Sequence, residues 1–531
     1  MFDQSPVRGP LTTRRRLLKV AGASAAALAT GGLLLPGRAA ASEPAEWTTR
    51  AKFDALDLGF NNGDGRKTDL NEDRAALGWG ESYVLQAYLL MYEAYRDPYY
   101  LDKAIDHIDH VLASRDTVRG VTDWRGQSLP AWRAGWPYSA GHLDLVDTAG
   151  RPTLRLVSAL AYAESMTVTV SAGTLPGTFR IDTSHKVYKN AVNTFDNLTM
   201  DPTSPDYAVR RINDAFDATK DQLTAHDLRA QSDAAGDPVP GAQLMSSSYF
   251  YSCVHTGQIA YPIAWFARIV HTTPKLHKNR LYRDKAREYY AAAEAAVAVH
   301  DEEYLVTDDG RGYYGYLKGA PVNLDGSDLP HNYSCSMARV YLELDMAGHG
   351  HRHRRRAEEL VRSFVADLRH QPDGTATWTY YRGGGLCYTG WTRADDVSMN
   401  FPVRGATTKP EDTEHGHIEA TMATVAYRAG IGITAADMTA LARTLNQRIL
   451  QRTPDGRLTA TEFVDGSGRT GIPYYETIVP PYLGLASFGD TDTLIRAGAQ
   501  LMAQNDPAPQ VVPIYSTAYL NWASRTGARV R

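Results

Sequence analysis

Apolar residues recur at helical spacing along this chain, and the stretches that carry them come in pairs. Residues 83–95, YVLQAYLLMYEAY, are apolar on nearly every side, as a helix enclosed by other helices must be. Asp97-Pro98 ends that run, and Leu101, Ala104, Ile105, Ile108 and Leu112 then line one side of an amphipathic partner over 99–113. The pairing returns with QIAYPIAWFARIV after His255-Thr256-Gly257 and a helix over 281–300. It returns again with CSMARVYLELDMA after His331-Asn332-Tyr333-Ser334 and a helix over 355–368. A fourth pair joins a helix that opens at 411–419 and stops at Gly430 to one over 434–450, and a fifth covers roughly 480–504. Residues 520–524 close the chain as a short helix, and 155–163 read as one further helix before Thr167-Val168-Thr169-Val170 switches to strand alternation. The expected fold is therefore mainly α, with five to six helical hairpins, long loops and a small β-containing insertion around 165–250. The spacing of the pairs is unequal, which excludes a regular solenoid.

Four of the first members share a polar head followed by small residues: Trp79-Gly80-Glu81, His255-Thr256-Gly257, Asn332-Tyr333-Ser334 and His415-Gly416-His417. The most heavily charged head holds six ionisable side chains among nine residues, Glu411, Asp412, Glu414, His415, His417 and Glu419. Behind it Ile418, Met422 and Val425 define a buried face. His415 extends that stripe, and Glu419 lies one turn beyond His415, within side-chain reach. A helix N-terminus offers free N–H groups and partial positive charge, so acids and imidazoles gathered there meet conditions that shift pKa values and attract anions. A plain cap on Asp412 or Thr413, with surface acids and one satisfied histidine, is the simpler account of any one of these residues. If the hairpins curl into a ring, the heads bring Glu81, His255, Asn332, Tyr333, His415 and Glu419 around one cleft.

The 531 residues carry a net charge of −4, which argues against a nucleic-acid partner. Aromatic usage changes the picture more: 31 Tyr and 9 Trp against 12 Phe favour surfaces that are half wet, as carbohydrate clefts are. In the loop 117–142, Trp124, Trp132, Trp136 and Tyr138 alternate with Arg125 and Arg133, a mixture suited to sugars bearing carboxylates and equally to anchoring a long loop in a core. Trp391, Asp395 and Asp396 lie in a second aromatic loop, CYTGWTRADDVSMN, where burial beside the indole would raise a carboxyl pKa. Three distant cysteines support neither a disulfide framework nor a metal knuckle. His349, His351 and His353 stand among arginines in a Gly-containing connector and read as a solvated loop.

At the N-terminus, Thr13-Arg14-Arg15-Arg16-Leu17-Leu18-Lys19 precedes a weakly apolar run over 20–35 and then Ala39-Ala40-Ala41. This resembles a twin-arginine signal peptide, which implies cleavage near Ala41, a secreted bacterial or archaeal protein, and no membrane attachment afterwards. Residues 42–69 follow as an entry loop, and 70–531 as the main domain. The repeated polar heads over 70–525 resemble the (α/α) toroids of carbohydrate-active enzymes, which include polysaccharide lyases, glucuronyl hydrolases and uronate epimerases. The Asn-Asn-His-Ser-Tyr-Trp signature of alginate lyases with that fold is absent.

What the resemblance implies is a polysaccharide or oligosaccharide substrate and one of two chemistries. In β-elimination on a uronic acid, His255, Asn332, Tyr333, His415 and Glu419 form the catalytic set, with Arg133 or Arg339 as a carboxylate clamp. Trp79, Glu81, Trp124, Trp132, Arg133, Trp136, Trp391, Asp395, Asp396 and His417 bind substrate. Hydrolysis instead takes two carboxyl groups from Glu81, Asp395, Asp396, Glu411, Asp412 and Glu419. A non-catalytic glycan-binding protein is the third class, with no need for acids and histidines crowded on helix heads. No cofactor is expected. The subordinate alternative is a divalent cation held by Asp412, His415 and Glu419, in a sequence without HExxH.

Overall fold

The computed structural model of the chain describes residues 43–234, 236–348 and 351–530. The proposed signal at 1–41 and His349 lie outside the described residues. The helices are α1 (Arg50–Gly59), α2 (Ser82–Tyr95), α3 (Pro98–Ala113), α4 (Cys253–Thr272), α5 (Arg280–Ala298), α6 (His331–Ala347), α7 (Arg354–Ala366), α8 (Gly416–Ala429), α9 (Ala435–Thr444), α10 (Thr491–Asn505) and α11 (Val511–Thr526). Six segments pack in a closed cycle: α2 on α4, α4 on α6, α6 on α8, α8 on the 3₁₀ segment Pro480–Phe488, that segment on α11, and α11 back on α2. Outside them lie α3, α5, α7, α9, α10 and α1, each against an inner neighbour.

Sequence explains which layer a helix joins. In α4 every residue from Cys253 to Val270 is buried, whereas in α5 only Tyr282, Ala286, Tyr289, Ala292, Ala293, Ala296 and Val297 are, at the three-to-four spacing of a one-sided helix. Small residues set how closely inner helices approach. A Cβ on Gly257 would stand 2.7 Å from the Ser336 carbonyl carbon and 2.8 Å from the Met337 nitrogen, so α4 touches the backbone of α6 there.

The inner helices also run the same way, because heads meet heads and tails meet tails. At the tail end α2, α4, α6 and α8 contribute Glu93, Arg268, Glu343 and Arg428, one charge each. Arg268 binds Glu343 and lies 3.3 Å from Glu93, and Arg428 lies 4.0 and 3.9 Å from Glu93 and Glu343. Trp265 and Trp522 donate to Glu93 from their indole nitrogens, both at 3.1 Å. Two arginines and two glutamates make a neutral set, the condition under which buried charges persist.

The expectation of a mainly α fold is overturned. The chain is 47% helix and 15% strand, with two four-stranded antiparallel sheets, and is a mixed fold. Between α3 and α4 run β1 (Gly141–Val146), β2 (Pro152–Ser158), β3 (Met166–Ala172), β4 (Phe179–His185), β5 (Asn193–Leu198), β6 (Leu223–Asp227), β7 (Gly241–Leu244) and β8 (Ser246–Ser247). They form sheets in the orders β6-β2-β1-β8 and β5-β4-β3-β7. Leu143, Leu145, Leu154, Leu156, Val168, Val170, Ile181 and Phe195 share one apolar core between them, separate from the helical core. The two-residue strands Arg133–Ala134 and Phe250–Tyr251 pair at the base of this segment and bring its ends together.

The helix expected at 155–163 is therefore a strand and the turn after it. β2 is a central strand with most residues buried, so its apolar residues run together and lose the alternation that marks a half-exposed strand. The short closing helix is instead the sixteen-residue α11. Its buried polar side chains, misleading in sequence, are satisfied inside the cycle: Asn521 accepts from Tyr95 Oη at 2.6 Å, and Ser516 donates to the Thr477 carbonyl at 2.6 Å. No helix among the described residues is long and apolar enough to cross a membrane.

Candidate functional site

The head of α8 is built by Asp412. Its Oδ1 accepts from the His415 backbone N–H at 2.8 Å, and both carboxylate oxygens lie 2.9–3.0 Å from His415 Nδ1. An anionic acceptor on Nδ1 fixes the proton there and leaves the lone pair of the neutral ring on Nε2. Burial alone would lower the His415 pKa, and the Asp412 carboxylate more than reverses this, so the imidazole sits above its ordinary value. Burial likewise works to raise Asp412, but His415 prevails and holds it at about 2.

Behind this dyad lie two fully buried acids. Burial, and after it the neighbouring carboxylates, raise Glu411 well above the usual range, and burial pushes Glu419 up to about 8. The two carboxyls lie near each other, with Glu411 Oε2 and both Glu419 oxygens buried and without a hydrogen-bond partner among the described residues, so the protonated form is favoured. Glu411, Asp412 and His415 also bring ligand atoms within 4.8 Å of one another, an O,O,N set of the kind that holds a divalent cation. In this geometry those atoms are engaged otherwise, with Asp412 on His415 and Glu411 Oε1 accepting from the Asp412 N–H at 3.1 Å.

On the facing side, Asn71 orients His255. The Gly78 N–H donates to Asn71 Oδ1 at 3.1 Å, which turns the amide nitrogen toward His255 Nδ1 and toward the Trp132 and Arg133 carbonyls, each 3.4 Å away. Nδ1 thus accepts, and the proton of the neutral ring is on Nε2. Burial keeps the ring neutral by lowering its pKa to about 3. Trp79, half-buried, stands edge-on between the two histidines, with ring centroids 5.7 Å from His255 and 5.9 Å from His415. Tyr138 lies 4.8 Å from His255 and Tyr380 6.0 Å from His415. Tyr333 is close enough to Tyr138 to add to the upward shift that burial gives its phenol. Glu414 accepts from Tyr474 Oη at 2.7 Å, and its charge reaches Tyr83, Tyr138 and His415.

Beneath this layer His417 donates from Nδ1 to the Glu414 carbonyl and meets Tyr83 and Tyr515 edge-on at 5.6 and 5.9 Å. Burial lowers its pKa to about 3. Asn332 is 0% exposed, and neither atom of its amide makes a hydrogen bond among the described residues.

The structure thus brings together Trp79, His255, His415 and, through Tyr83, His417. Glu419 stands behind His415, and Tyr333 is beside Tyr138. Other residues singled out from the sequence lie elsewhere. Glu81 is buried between α2 and α3, accepting from the Arg66 N–H at 2.6 Å and lying 2.5 Å from His107 Nδ1. Trp132 is a core residue whose indole donates to the Val111 carbonyl at 2.7 Å. Arg133 is held by Glu72 at 2.6 Å and stacked 3.8 Å over Tyr249. Trp124, 40% exposed, lies by Arg125 and Tyr249. Trp136 packs on Arg74 and on Tyr162 from the β segment. Trp391 belongs to a small separate core and donates to the Phe401 carbonyl at 2.8 Å. Asp395 caps its own turn at Thr392, and Asp396 pairs with Lys318 at 2.7 Å on the surface, so neither is buried against the indole.

Asn71 and Tyr380 are site residues that the sequence did not single out, and Glu414 was named there without a role of its own. Asn71 and Tyr380 come from irregular segments that carry no periodic signal, and Glu414 was visible only as one charge among six. Comparison with known protein families, curated proteins and solved structures finds no match to this chain.

Proposed function

We propose that the protein is a secreted polysaccharide lyase that cleaves a uronic-acid-containing glycan by β-elimination at the cleft around Trp79. The observation that carries this is the pair of oppositely poised imidazoles flanking one indole. His415, oriented by Asp412, offers a basic Nε2, and neutral His255, oriented by Asn71, offers an Nε2–H. In the reaction His415 Nε2 takes the C5 proton, the C5–H electrons form the C4=C5 double bond, and the C4–O bond breaks. A tyrosine of the cleft, Tyr138 or Tyr333, returns a proton to the leaving oxygen. The C5 proton becomes acidic enough only if the neighbouring carboxylate is quieted by neutral donors, a task suited to His255 Nε2–H and the Asn332 amide. Trp79 and Tyr138 supply half-buried aromatic faces for a sugar ring.

Hydrolysis needs two carboxyls set apart across the bond, about 5 Å or more. Glu411 and Glu419 lie near each other on one side of His415, Asp412 is spent on His415, and Glu81 is spent on His107. The N-terminal resemblance to a twin-arginine signal supports export. The test is incubation of the purified protein with acidic and neutral glycans, reading both the far-ultraviolet chromophore of an unsaturated uronate and new reducing ends. The proposal expects the chromophore from an acidic glycan; reducing ends formed without it would defeat it.

A further inference from the structure

Arg339 stands two turns into α6 and is 0% exposed, yet among the described residues no carboxylate forms an ion pair with it. Its one hydrogen bond is from Nη2 to the Gln258 amide oxygen at 2.6 Å, and its guanidinium lies 4.4 Å over the Tyr261 ring. Nε and Nη1 are buried and reach no acceptor among the described residues. The contrast with Arg268 and Arg428 is instructive, since both of those meet Glu93 and Glu343 at the tail end of the same helices. Those acids are already matched one to one and have no charge left over for Arg339.

The polar side chains that the other inner helices turn toward Arg339 are neutral, Gln258 of α4, His417 of α8, Tyr83 of α2, and Tyr515 and Tyr519 of α11; Tyr261 and Cys335 lie in the fields of both Arg339 and the buried acids Glu343 and Glu419, neither of which pairs with Arg339. Its charge is felt at His417, Tyr83, Tyr515 and Tyr519. Tyr83 Oη accepts from Gln258 Nε2 at 3.5 Å, so its own proton remains a donor. Tyr515 Oη donates to Gln86 at 2.9 Å. Isolated buried cations are strongly disfavoured unless a counter-charge or ligand is at hand, and a guanidinium with two N–H edges unsatisfied is a donor set for an anion.

We infer that the centre of the helical cycle, beneath the histidine layer, binds one small monovalent anion, a halide or a carboxylate, on one open N–H side of Arg339, at Nε or at Nη1. This site is separate from the chemistry proposed for the cleft and stands or falls without it.

Crystals of the full chain grown or soaked in bromide test it directly. The expected result is an anomalous peak within hydrogen-bond distance of Arg339 Nε or Nη1; a peak absent from both, with water density in its place, would overturn the site for halides. In parallel, the thermal unfolding midpoint is followed at constant ionic strength as gluconate is replaced by chloride or by formate. Binding to the native state alone shifts the midpoint upward with anion concentration. A shift with chloride alone assigns a halide site, and one with formate assigns a carboxylate-accepting site. Either shift must vanish in Arg339→Gln. No shift with either anion together with no bromide peak, or a shift that survives in R339Q, refutes the inference. Should R339Q fail to fold, the wild-type bromide and formate measurements still decide.

Discussion

His415 and Asp412 carry the proposed chemistry, and they predict a particular pH profile. A base works only when unprotonated, and Asp412 raises the His415 pKa above its ordinary value, so activity should climb with pH through a midpoint above about 6.5. Asp412→Asn removes the cause of that rise and leaves burial to act alone. Its acid limb should move to lower pH, and kcat should fall because the ring loses its fixed tautomer. His415→Ala should lower kcat by about 10²–10⁴-fold, the usual worth of a general base, with KM much less affected. Rates measured across pH for the three proteins check both statements.

Glu419 predicts a stability effect of the opposite sign to most acids. Its pKa is raised from 4.5 to about 8 in the folded protein, so the native state binds the extra proton across that window. Its contribution is complete below about 4.5 and is lost as pH rises through about 8. Glu419→Gln keeps the shape of the side chain but removes the titrating group and should flatten that decline, worth on the order of a few kcal/mol, in urea denaturation at pH 5 and pH 8. The ionisable cluster at 411–419 was legible in the chain because it depends on local spacing, but the acid that spacing offered to His415 was Glu419, and the partner is Asp412 at the turn before the helix. Asn71 and Tyr380 were not legible, since each meets its histidine across an interval of sequence that no local pattern spans.

Among the elements, the inner helices declare themselves by being apolar all round, and α2, α4 and α6 lie where their sequences put them. Their close approach makes Gly257 a sensitive point. A methyl there meets the backbone of α6 at 2.7–2.8 Å, and backbone does not yield as a side-chain tip would. Gly257→Ala should therefore destabilise by about 1–3 kcal/mol despite its better helix propensity, as a lowered urea midpoint with unchanged slope. At the other end of the same helices, Glu343→Gln leaves Arg268 and Arg428 sharing Glu93 and should cost roughly 3–5 kcal/mol, the penalty for breaking a buried charge set. The charge set itself was invisible beforehand, because its four members are spread from 93 to 428 and each looks like an ordinary helix-surface charge. β2 was misread for the reverse reason: a strand buried on both faces and an enclosed helix both present a short apolar run.

At the scale of the molecule, two cores coexist. The helical cycle is closed through α11 on α2, with Tyr95 bonded to Asn521 and Tyr515 to Gln86, while residues 141–247 fold around an apolar core of their own. Native-state hydrogen exchange in increasing urea should resolve two protection classes that divide at those boundaries; one common class would show that the segments unfold together. The expectation of a mainly α fold failed here, since the β segment is much larger than a hairpin and its turns and polar edges concealed it. The two histidines and the indole between them nonetheless come from the heads of cycle segments, while Asn71 and Tyr138 reach His255 from outside the cycle.

Whether those histidines do carbon chemistry is answered by the fate of one hydrogen. An oligouronate labelled with deuterium at C5 is digested and the new non-reducing ends are weighed by mass spectrometry. Elimination by His415 predicts that the label is missing from every new end, and that His415→Ala forms none. New ends that keep the deuterium and gain the elements of water would contradict β-elimination outright.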